Sequence, residues 1–438
     1  MTARGPLEGL VKVGLGKGKK WLALVPASGT ILLSSASGGM SGDIFNLLIT
    51  DTMGYDPSVL SLVYIGMLCS IPIQFLGPTI AQRLGLRKIM LLGAGSCLLA
   101  IVILLGSMSL SERIILIVLS TTLIEIAYSL SYGTVWSAWT AELFSPHERP
   151  IFLSISRGCS QLVMAAAFLV QTILFKGSVT FTFYRIICSL LIVYLISSCV
   201  IYFVLPQGAD GWAQGHGASD LNSGKSVNWI SWLASPDYRL IAYSAISQVF
   251  IGVPLLSVYI VSILGFPNEI LGVALLARTT ASLVALFFIG RWIQAVGAAR
   301  AAIQSGRLVS ICLIGWLLLS LVANRELLIS IVMVSLVVAF SLSKSVFSIS
   351  ISNLTYDLVE KKDRVQIFTM VDLFSSTSLQ ISAALGALAI SSSKNGNFLS
   401  IFGASIDVIG MWIVAAIILS VSLTRAVQAN AVPVGGDS

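Results

Sequence analysis

Long apolar stretches, separated by short clusters of charged and turn-forming residues, dominate this chain. A membrane-spanning helix needs about 20 consecutive apolar residues, whereas a transmembrane β-strand alternates apolar and polar residues. The stretches lack that alternation, so the pattern predicts an all-α polytopic membrane protein with twelve transmembrane helices. The twelve apolar runs, numbered 1 to 12, cover residues 26–50, 57–80, 88–108, 113–141, 151–175, 180–205, 238–263, 269–292, 303–323, 327–355, 365–390 and 398–424.

A longer polar segment near the middle of the chain divides the runs into two groups of six. Its proline and repeated glycines are typical of a flexible linker. We therefore expect two six-helix bundles with pseudo-symmetry. The predicted parts are a basic N-terminal tail (1–20), the first bundle (21–205), the linker (206–236), the second bundle (237–425) and a C-terminal tail (426–438).

Composition narrows the class further. The chain is 56% hydrophobic and 10% charged, whereas soluble domains carry roughly 25% charged residues. The net charge of +7 does not indicate nucleic-acid binding, because the basic residues lie in short loops. The six cysteines lie inside apolar runs without a CxxC pair, so neither a disulfide framework nor a metal site is expected.

Lysine and arginine cluster in the N-terminal tail and in the loops after runs 2, 8 and 10. Basic loops face the cytoplasm in membrane proteins. The even number of runs then places both termini and the linker in the cytoplasm. We expect a bacterial inner-membrane protein. The sequence has no Walker A loop and no catalytic constellation, so neither an ATP-driven pump nor an enzyme is expected, and no cofactor.

A short motif occurs twice. Glu142-Leu-Phe-Ser-Pro-His-Glu148-Arg149 matches Asp357-Leu-Val-Glu-Lys-Lys-Asp363-Arg364, 215 residues further on. One copy lies between runs 4 and 5, and the other lies between runs 10 and 11. This spacing indicates that one half of the chain is a diverged copy of the other. Two equivalent halves in a membrane chain are typical of transporters that rock one half against the other.

A second match supports the duplication. Gly77-Pro-Thr-Ile-Ala-Gln82-Arg83-Leu-Gly85-Leu-Arg87-Lys88 follows run 2, and Gly290 to Arg300 follows run 8, with Gly85 aligned to Gly297 at an offset of 212 residues. With its six plus six helices and this loop, the chain resembles the major facilitator superfamily. The resemblance implies a secondary transporter whose helices 1, 4, 7 and 10 line a central cavity.

The loop after run 2 departs from the family pattern. The family's acidic residue, which pairs across cytoplasmic helix ends and helps hold the outward-facing state, is replaced by Gln82. An amide can donate and accept hydrogen bonds but cannot form that ion pair. Gln82, Arg83 and Arg87 are therefore candidate gating residues of a weakened gate.

The repeated acid–arginine motif gives a second set of gating candidates. Arginine can bridge a carboxylate bidentately. Such pairs either brace helix ends permanently or break and form during transport. The candidates are Glu142, Glu148, Arg149, Asp357, Asp363 and Arg364. Arg157 and Asp372, also 215 residues apart, occupy equivalent positions with opposite charge. Across the interface between the halves, we expect Arg157 to pair with a residue of helix 8 or 10, and Asp372 with one of helix 2 or 4.

Ionisable residues inside the runs are candidates for substrate or proton binding, because each costs about 2.5 kcal/mol or more at a helix centre. Asp43, Glu125 and Lys344 lie in runs 1, 4 and 10, and Arg278 in run 8 is a candidate anion contact. A static ion pair is the alternative for each of them.

Aromatic and amide groups join these candidates. Tyr128, Tyr132 and Trp136 recur every four residues and share a helix face with Glu125. Gln248 lies in run 7. Such a face serves either for packing or as a mixed polar and aromatic binding surface.

The sequence therefore predicts a secondary active transporter that moves a small solute by alternating access, coupled to protons. Its expected partners are a small-molecule substrate, protons and the lipid bilayer, and it is expected to be a monomer. The alternatives are an exporter of amphipathic or toxic compounds, and a non-transporting receptor or assembly factor on the same scaffold.

Overall fold

The structure is a computed structural model. It describes residues 20–38, 42–107, 113–133, 136, 143–144, 149–205, 236–250, 255–322, 327–358, 364–394, 399–401, 404–406 and 408–430. This part of the chain is nearly all helical. The helices α1 to α12 are numbered after the predicted runs. The N-terminal tail and the linker lie almost entirely outside the described residues, and so do residues 431–438 of the C-terminal tail, whereas residues 426–430 belong to the last helix.

Nine helices of the described part are long and apolar enough to cross a membrane. They confirm an all-α membrane fold. Apolar residues, chiefly Leu, Ile, Val and Ala, predominate in these helices, and such side chains need no hydrogen-bond partner in lipid. The nine are α3 (Leu86–Ser107), α4 (Arg113–Tyr128), α5 (Arg149–Leu174), α6 (Phe181–Val204), α8 (Asn268–Val296), α9 (Ala298–Val322), α10 (Leu327–Leu358), α11 (Arg364–Lys394) and α12 (Val408–Asn430).

The first helix is interrupted. After a 3₁₀ turn at Trp21–Ala23, α1 comprises Leu24–Ser28, Thr30–Ser37 and Asp43–Leu47, and it ends in a π-helical segment, Leu48–Thr52. Glycines lie at the interruptions: Gly29 separates the first two pieces, and Gly38 has φ +83°. Glycine adopts such a conformation without steric penalty.

Two further helices consist of two pieces each. Helix α2 comprises Ser58–Met67 and Ser70–Leu84, and α7 comprises Pro236–Phe250 and Leu256–Ser262. Leu255 has a left-handed backbone, φ +59°, directly after Pro254. A proline lacks the amide that a continuous helix requires, which explains why α7 does not run on as the sequence pattern predicts.

Two glycines that the internal repeat aligns both have a positive φ. Gly85, between α2 and α3, has φ +83°, and Gly297, between α8 and α9, has φ +90°. The amide of Gly297 donates to the carbonyl of Ile293 at the end of α8 (2.8 Å). The shared need for a residue without Cβ agrees with the register that the sequence predicts for the two halves.

The start of run 12 is a correction to the sequence analysis. Strand β1 (Leu399–Ile401) pairs antiparallel with β2 (Ala404–Ile406), where the sequence predicts the start of run 12. Helix α12 begins only at Val408 and not at residue 398. Each strand ends in an isoleucine, whose β-branched side chain favours strands.

The chain packs into two compact units. Unit 1 comprises Met1–Leu33, Cys69–Val163 and Cys188–Ser226, and unit 2 comprises Ser34–Leu68, Met164–Ile187 and Val227–Ser438. The division therefore falls within α1, α2, α5 and α6. The boundaries of the two chain-order bundles stay a prediction.

Within unit 2, small residues let helices approach closely. A Cβ on Gly306 of α9 would overlap the hydroxyl of Thr424 on α12. Beside this contact, the hydroxyls of Ser310 and Ser420 lie 3.0 Å apart. Small residues and interhelical hydroxyl bonds are the usual contacts between helices in lipid, where no hydrophobic force drives association.

Candidate functional site

The centre of the candidate site is an ion pair between α1 and α8. The Nη2 atom of Arg278 donates to the Oδ2 atom of Asp43 at 2.7 Å. The Arg278 side chain is 24% exposed and that of Asp43 14%. The guanidinium also lies 6.0 Å from the centre of the buried Phe168 ring of α5. The pair is thus largely removed from water without being sealed.

Two more aspartates extend this contact along the same part of the chain. Asp51 accepts a hydrogen bond from the Asn268 amide at the start of α8 (2.9 Å), and Asp56 accepts one from the hydroxyl of Ser391 on α11 (2.6 Å). Together with Asp43–Arg278 we call these the aspartate contacts. All lie within unit 2. They join residues 43–56 of the first half of the chain to helices of the second half.

Backbone packing surrounds the aspartate contacts. Gly177, with φ +78°, approaches the start of α8 so closely that a Cβ would overlap the carbonyl of Asn268. The side-chain amide of Gln171 donates to the carbonyl of Gly177 (2.5 Å), and the hydroxyl of Thr52 donates to the carbonyl of Val179. The loop between α5 and α6 is therefore part of the same closed region.

Two helix pieces complete this region. The Ser58–Met67 piece of α2 packs along α11, and the Leu256–Ser262 piece of α7 packs on the Asp43–Leu47 piece of α1. Polar contacts and apolar packing thus hold the first-half segments of unit 2 against second-half helices.

Lys344 lies on α10, which packs against α8. Its side chain is half-buried, and Arg278 is the charged group that acts on it electrostatically. Among the described residues, no carboxylate lies within ion-pair distance of Lys344 and no hydrogen-bond partner is present. Of these two cations, Arg278 alone has a carboxylate partner among the described residues, namely Asp43.

Glu125 belongs to unit 1, on α4. Its carboxylate accepts a hydrogen bond from the hydroxyl of Ser129 (3.5 Å), which in turn accepts one from the Gln74 amide of α2 (2.7 Å). Ser129 begins a π-helical segment, Ser129–Gly133. Such segments often occur at functional sites because they re-aim side chains. The half-buried Glu125 therefore lies in a polar chain between two helices.

The aromatic face that the sequence predicts on α4 packs mainly against other rings. The rings of Tyr128 and Tyr132 stack at 5.2 Å, and Trp136 lies 5.5 Å from Tyr132 and 6.2 Å from Phe152. Tyr132 is buried, whereas Tyr128 and Trp136 are half-buried. The last two retain surface with which to contact a ligand.

A hydroxyl network in unit 1 escaped the sequence analysis. The hydroxyl of Tyr132 donates to the carbonyl of Pro26 (3.2 Å) and lies 2.9 Å from that of Tyr202. Tyr194 also donates to Pro26, and Ser160 donates to the carbonyl of Ala27 (2.7 Å). These carbonyls end the first piece of α1, where helix carbonyls lack backbone partners. The proximity of Pro26 to Gly29 was the signal for this break.

The remaining predicted gating residues are only partly described. Arg87 donates to the carbonyl of Phe203 at the end of α6 and lies 5.6 Å from its ring centre. Arg157 is exposed and Asp372 half-buried. The roles predicted for all these residues stay predictions. Glu142, Glu148 and Asp363 lie outside the described residues, as do the side chains of Gln82, Arg83, Arg149, Gln248, Asp357 and Arg364.

An open groove of about 690 Å³ lies between α8 and α10, lined by residues such as Val273, Val284, Val338 and Leu342. Its lining carries no ionisable side chain. Val273 and Val284 are about half exposed, at 47% and 52%. The groove is thus an apolar surface distinct from the polar site that contains Arg278.

Several known structures share this fold. A D-xylose-proton symporter aligns with TM-score 0.67 at 13% identity, over 93% of this chain and 97% of that one. The nucleoside transporter NupG aligns with TM-score 0.62 at 12% identity, over 94% and 99%. A bacterial homologue of the iron transporter ferroportin, in an outward-facing state, aligns with TM-score 0.62 at 14% identity, over 94% and 99%.

No curated protein sequence matches the chain. At these identities the structural likeness establishes the fold alone. The family model of the Major Facilitator Superfamily, however, matches residues 27–387, most of the chain. The nine membrane-spanning helices, the ionisable residues inside them and this match lead to one conclusion: the chain is a membrane transporter and belongs to the major facilitator superfamily.

Proposed function

We propose that this protein is a secondary active transporter that moves a small solute by alternating access and is coupled to protons. We place it in a bacterial inner membrane with both termini in the cytoplasm, on the strength of the basic loops. In this orientation the aspartate contacts lie toward the outer side. They are then the closed outer gate of an alternating-access cycle.

The observation that carries the proposal is the Asp43–Arg278 pair at 2.7 Å. The pair joins residues 235 positions apart in sequence, one from each half of the chain. Its partial exposure allows water or a ligand to replace the contact, because a sealed pair would be much more costly to separate. A few such exchangeable polar contacts suit a gate that must open repeatedly.

Proton coupling is assigned to Glu125. A carboxyl group inside a membrane span is costly when charged and is a functional-site candidate by default. Ser129 and Gln74 provide hydrogen bonds that can adjust to a charged or a neutral carboxyl group. Glu125 can therefore take up and release a proton without rearrangement of the helices.

The test is solute-driven proton movement in proteoliposomes. Purified protein is reconstituted with a pH-sensitive dye inside the vesicles, and solutes of different charge are added in turn. We expect at least one solute to move protons across the membrane. The Glu125→Gln variant should still exchange labelled solute but lose accumulation against a gradient, by about tenfold or more.

Proton-driven accumulation that persists unchanged in Glu125→Gln would remove Glu125 from the mechanism. Absence of transport for every solute, in vesicles that contain folded protein, would favour a receptor or assembly factor. The Ser129→Ala variant is a matched control, because it removes the neighbouring hydroxyl and keeps the carboxylate.

A further inference from the structure

We infer that the transported solute is a small monocarboxylate and that its carboxylate replaces Asp43 on Arg278, with Lys344 as the second cationic contact. This inference rests on the proposed function. It names the substrate class and the event that links substrate binding to release of the outer gate.

The first argument is the chemistry of the ion pair. Arg278 already holds a carboxylate, that of Asp43, at 2.7 Å. Guanidinium groups match carboxylates in geometry and can hold two oxygens at once. A ligand carboxylate can therefore take the position of the Asp43 group without a change in the shape of the Arg278 side chain. The exposure of 24% and 14% leaves both partners reachable.

Lys344 offers a second cation beside Arg278. The two charges act on each other across the packed helices α10 and α8. Among the described residues Lys344 has neither a carboxylate nor a hydrogen-bond partner. A half-buried ammonium group inside a span needs an acceptor. A single carboxylate on the ligand, held by both Arg278 and Lys344, can supply that acceptor, which favours an anionic ligand over a neutral or cationic one.

A buried ring flanks the guanidinium on one side. The Phe168 ring of α5 lies 6.0 Å from it and is fully buried. It therefore keeps water from that side of the guanidinium, which strengthens the attraction of Arg278 for a carboxylate.

The geometry also supplies coupling. When the ligand takes over Arg278, Asp43 loses its partner, and the tie between the Asp43–Leu47 piece of α1 and α8 is released. A ligand can shift a conformational equilibrium only by its different affinity for the two states. Here the difference arises because ligand and Asp43 compete for one guanidinium group.

The experiment measures binding to the purified full chain in lipid nanodiscs by thermal shift and by calorimetry. The probes are hexanoate, phenylacetate and benzoate, their neutral amides, and hexylamine as a cation. We expect at least one carboxylate to raise the melting temperature at millimolar concentration, whereas its amide and the amine do not.

Three variants then test the residues. Lys344→Met should weaken carboxylate binding about tenfold, the factor that corresponds to about 1.4 kcal/mol. Asp43→Asn should tighten it, because the competing carboxylate is removed. Arg278→Lys should retain weak binding, while Arg278→Met should lose it. Arg185→Met is the matched control, because Arg185 is exposed on α6 and, among the described residues, has no polar partner.

The inference is overturned if amides or amines bind as well as the carboxylates do, if no carboxylate binds, or if Lys344→Met binds them with unchanged affinity. Lys344→Met is decisive where Arg278 variants fail to fold, because it breaks no observed hydrogen bond. If the protein transports a neutral solute and Lys344→Met leaves this transport unaffected, the carboxylate site is wrong and the proposed transporter function stands. If carboxylates bind as expected but no solute is transported, the carboxylate site stands and the transporter function is wrong.

Discussion

The two ends of α1 are held in different ways. Its first piece, Leu24–Ser28, belongs to unit 1 and ends in carbonyls that accept hydrogen bonds from uncharged hydroxyls of α4, α5 and α6. Its last piece, Asp43–Leu47, belongs to unit 2 and is held by a charge pair to Arg278. One helix thus has a neutral attachment and a charged one.

The difference indicates which attachment changes during transport. A buried hydroxyl bound to a carbonyl has no reason to dissociate, because leaving either group unpaired in an apolar interior costs about 1–3 kcal/mol. A partly exposed ion pair can exchange its partner for water or for a ligand of the same charge. We therefore expect the neutral attachment to persist and the charged one to switch.

The largest loss of stability should come from filling the space where the backbone of Gly177 approaches α8, beside the Asp43–Arg278 pair. Gly177→Ala places a Cβ against the carbonyl of Asn268 and strains a backbone with φ +78°. We expect a loss of at least about 3 kcal/mol in unfolding free energy, from overpacking and backbone strain together. Thermal unfolding in detergent measures it.

Gly54→Ala is the matched control. Gly54 has φ +70°, but nothing lies within 4 Å of a Cβ there. Gly54→Ala should lower the unfolding free energy only by the backbone strain, about 1–2 kcal/mol. Equal losses for the two variants would contradict the close approach of Gly177 to α8.

The next effect concerns the charged attachment itself. Asp43→Asn leaves Arg278 without its anion. The expected cost lies between about 1 and about 3 kcal/mol, above that of an exposed pair and below that of a sealed one. A double-mutant cycle with Arg278→Met isolates the coupling, and two additive single losses would show that the pair contributes nothing.

The smallest effect should come from the neutral attachment. Tyr194→Phe removes one of the two tyrosine hydroxyls bound to Pro26, at a cost of about 1 kcal/mol. Transport per folded molecule should not change. Tyr55→Phe is a control, because among the described residues Tyr55 has no side-chain hydrogen bond. Transport lost at normal stability in Tyr194→Phe would mean that this end of α1 also moves.

The sequence predicts the general architecture well because a membrane imposes simple rules. Nine of the twelve apolar runs correspond to uninterrupted helices within the described part of the chain. The aligned glycines, Gly85 and Gly297, both have a positive φ. Both results follow from local requirements: apolar side chains in lipid, and a residue without Cβ at a tight turn between helices.

Features that depend on distant partners were not predicted. Asp43 and Arg278 were each recognised as costly charges, but their pairing joins residues 235 positions apart. The hydroxyl network around Pro26 likewise depends on side chains from three helices that are distant from Pro26 in sequence. The sequence pattern predicts helix where β1 and β2 lie, because the residues of these strands are apolar enough for either structure. Periodicity in a short apolar segment does not distinguish the two.

The most direct test of the account is a distance measurement across the charged attachment. Spin labels are placed at the exposed positions 54 and 269, both in unit 2, in a chain whose six native cysteines are replaced. Pulsed electron paramagnetic resonance then measures the distance between the two labels in nanodiscs, with and without a bound carboxylate. We predict a short distance between the labels without the ligand, and a longer distance with the ligand or in Asp43→Asn. A single distance that neither the ligand nor Asp43→Asn changes would contradict it.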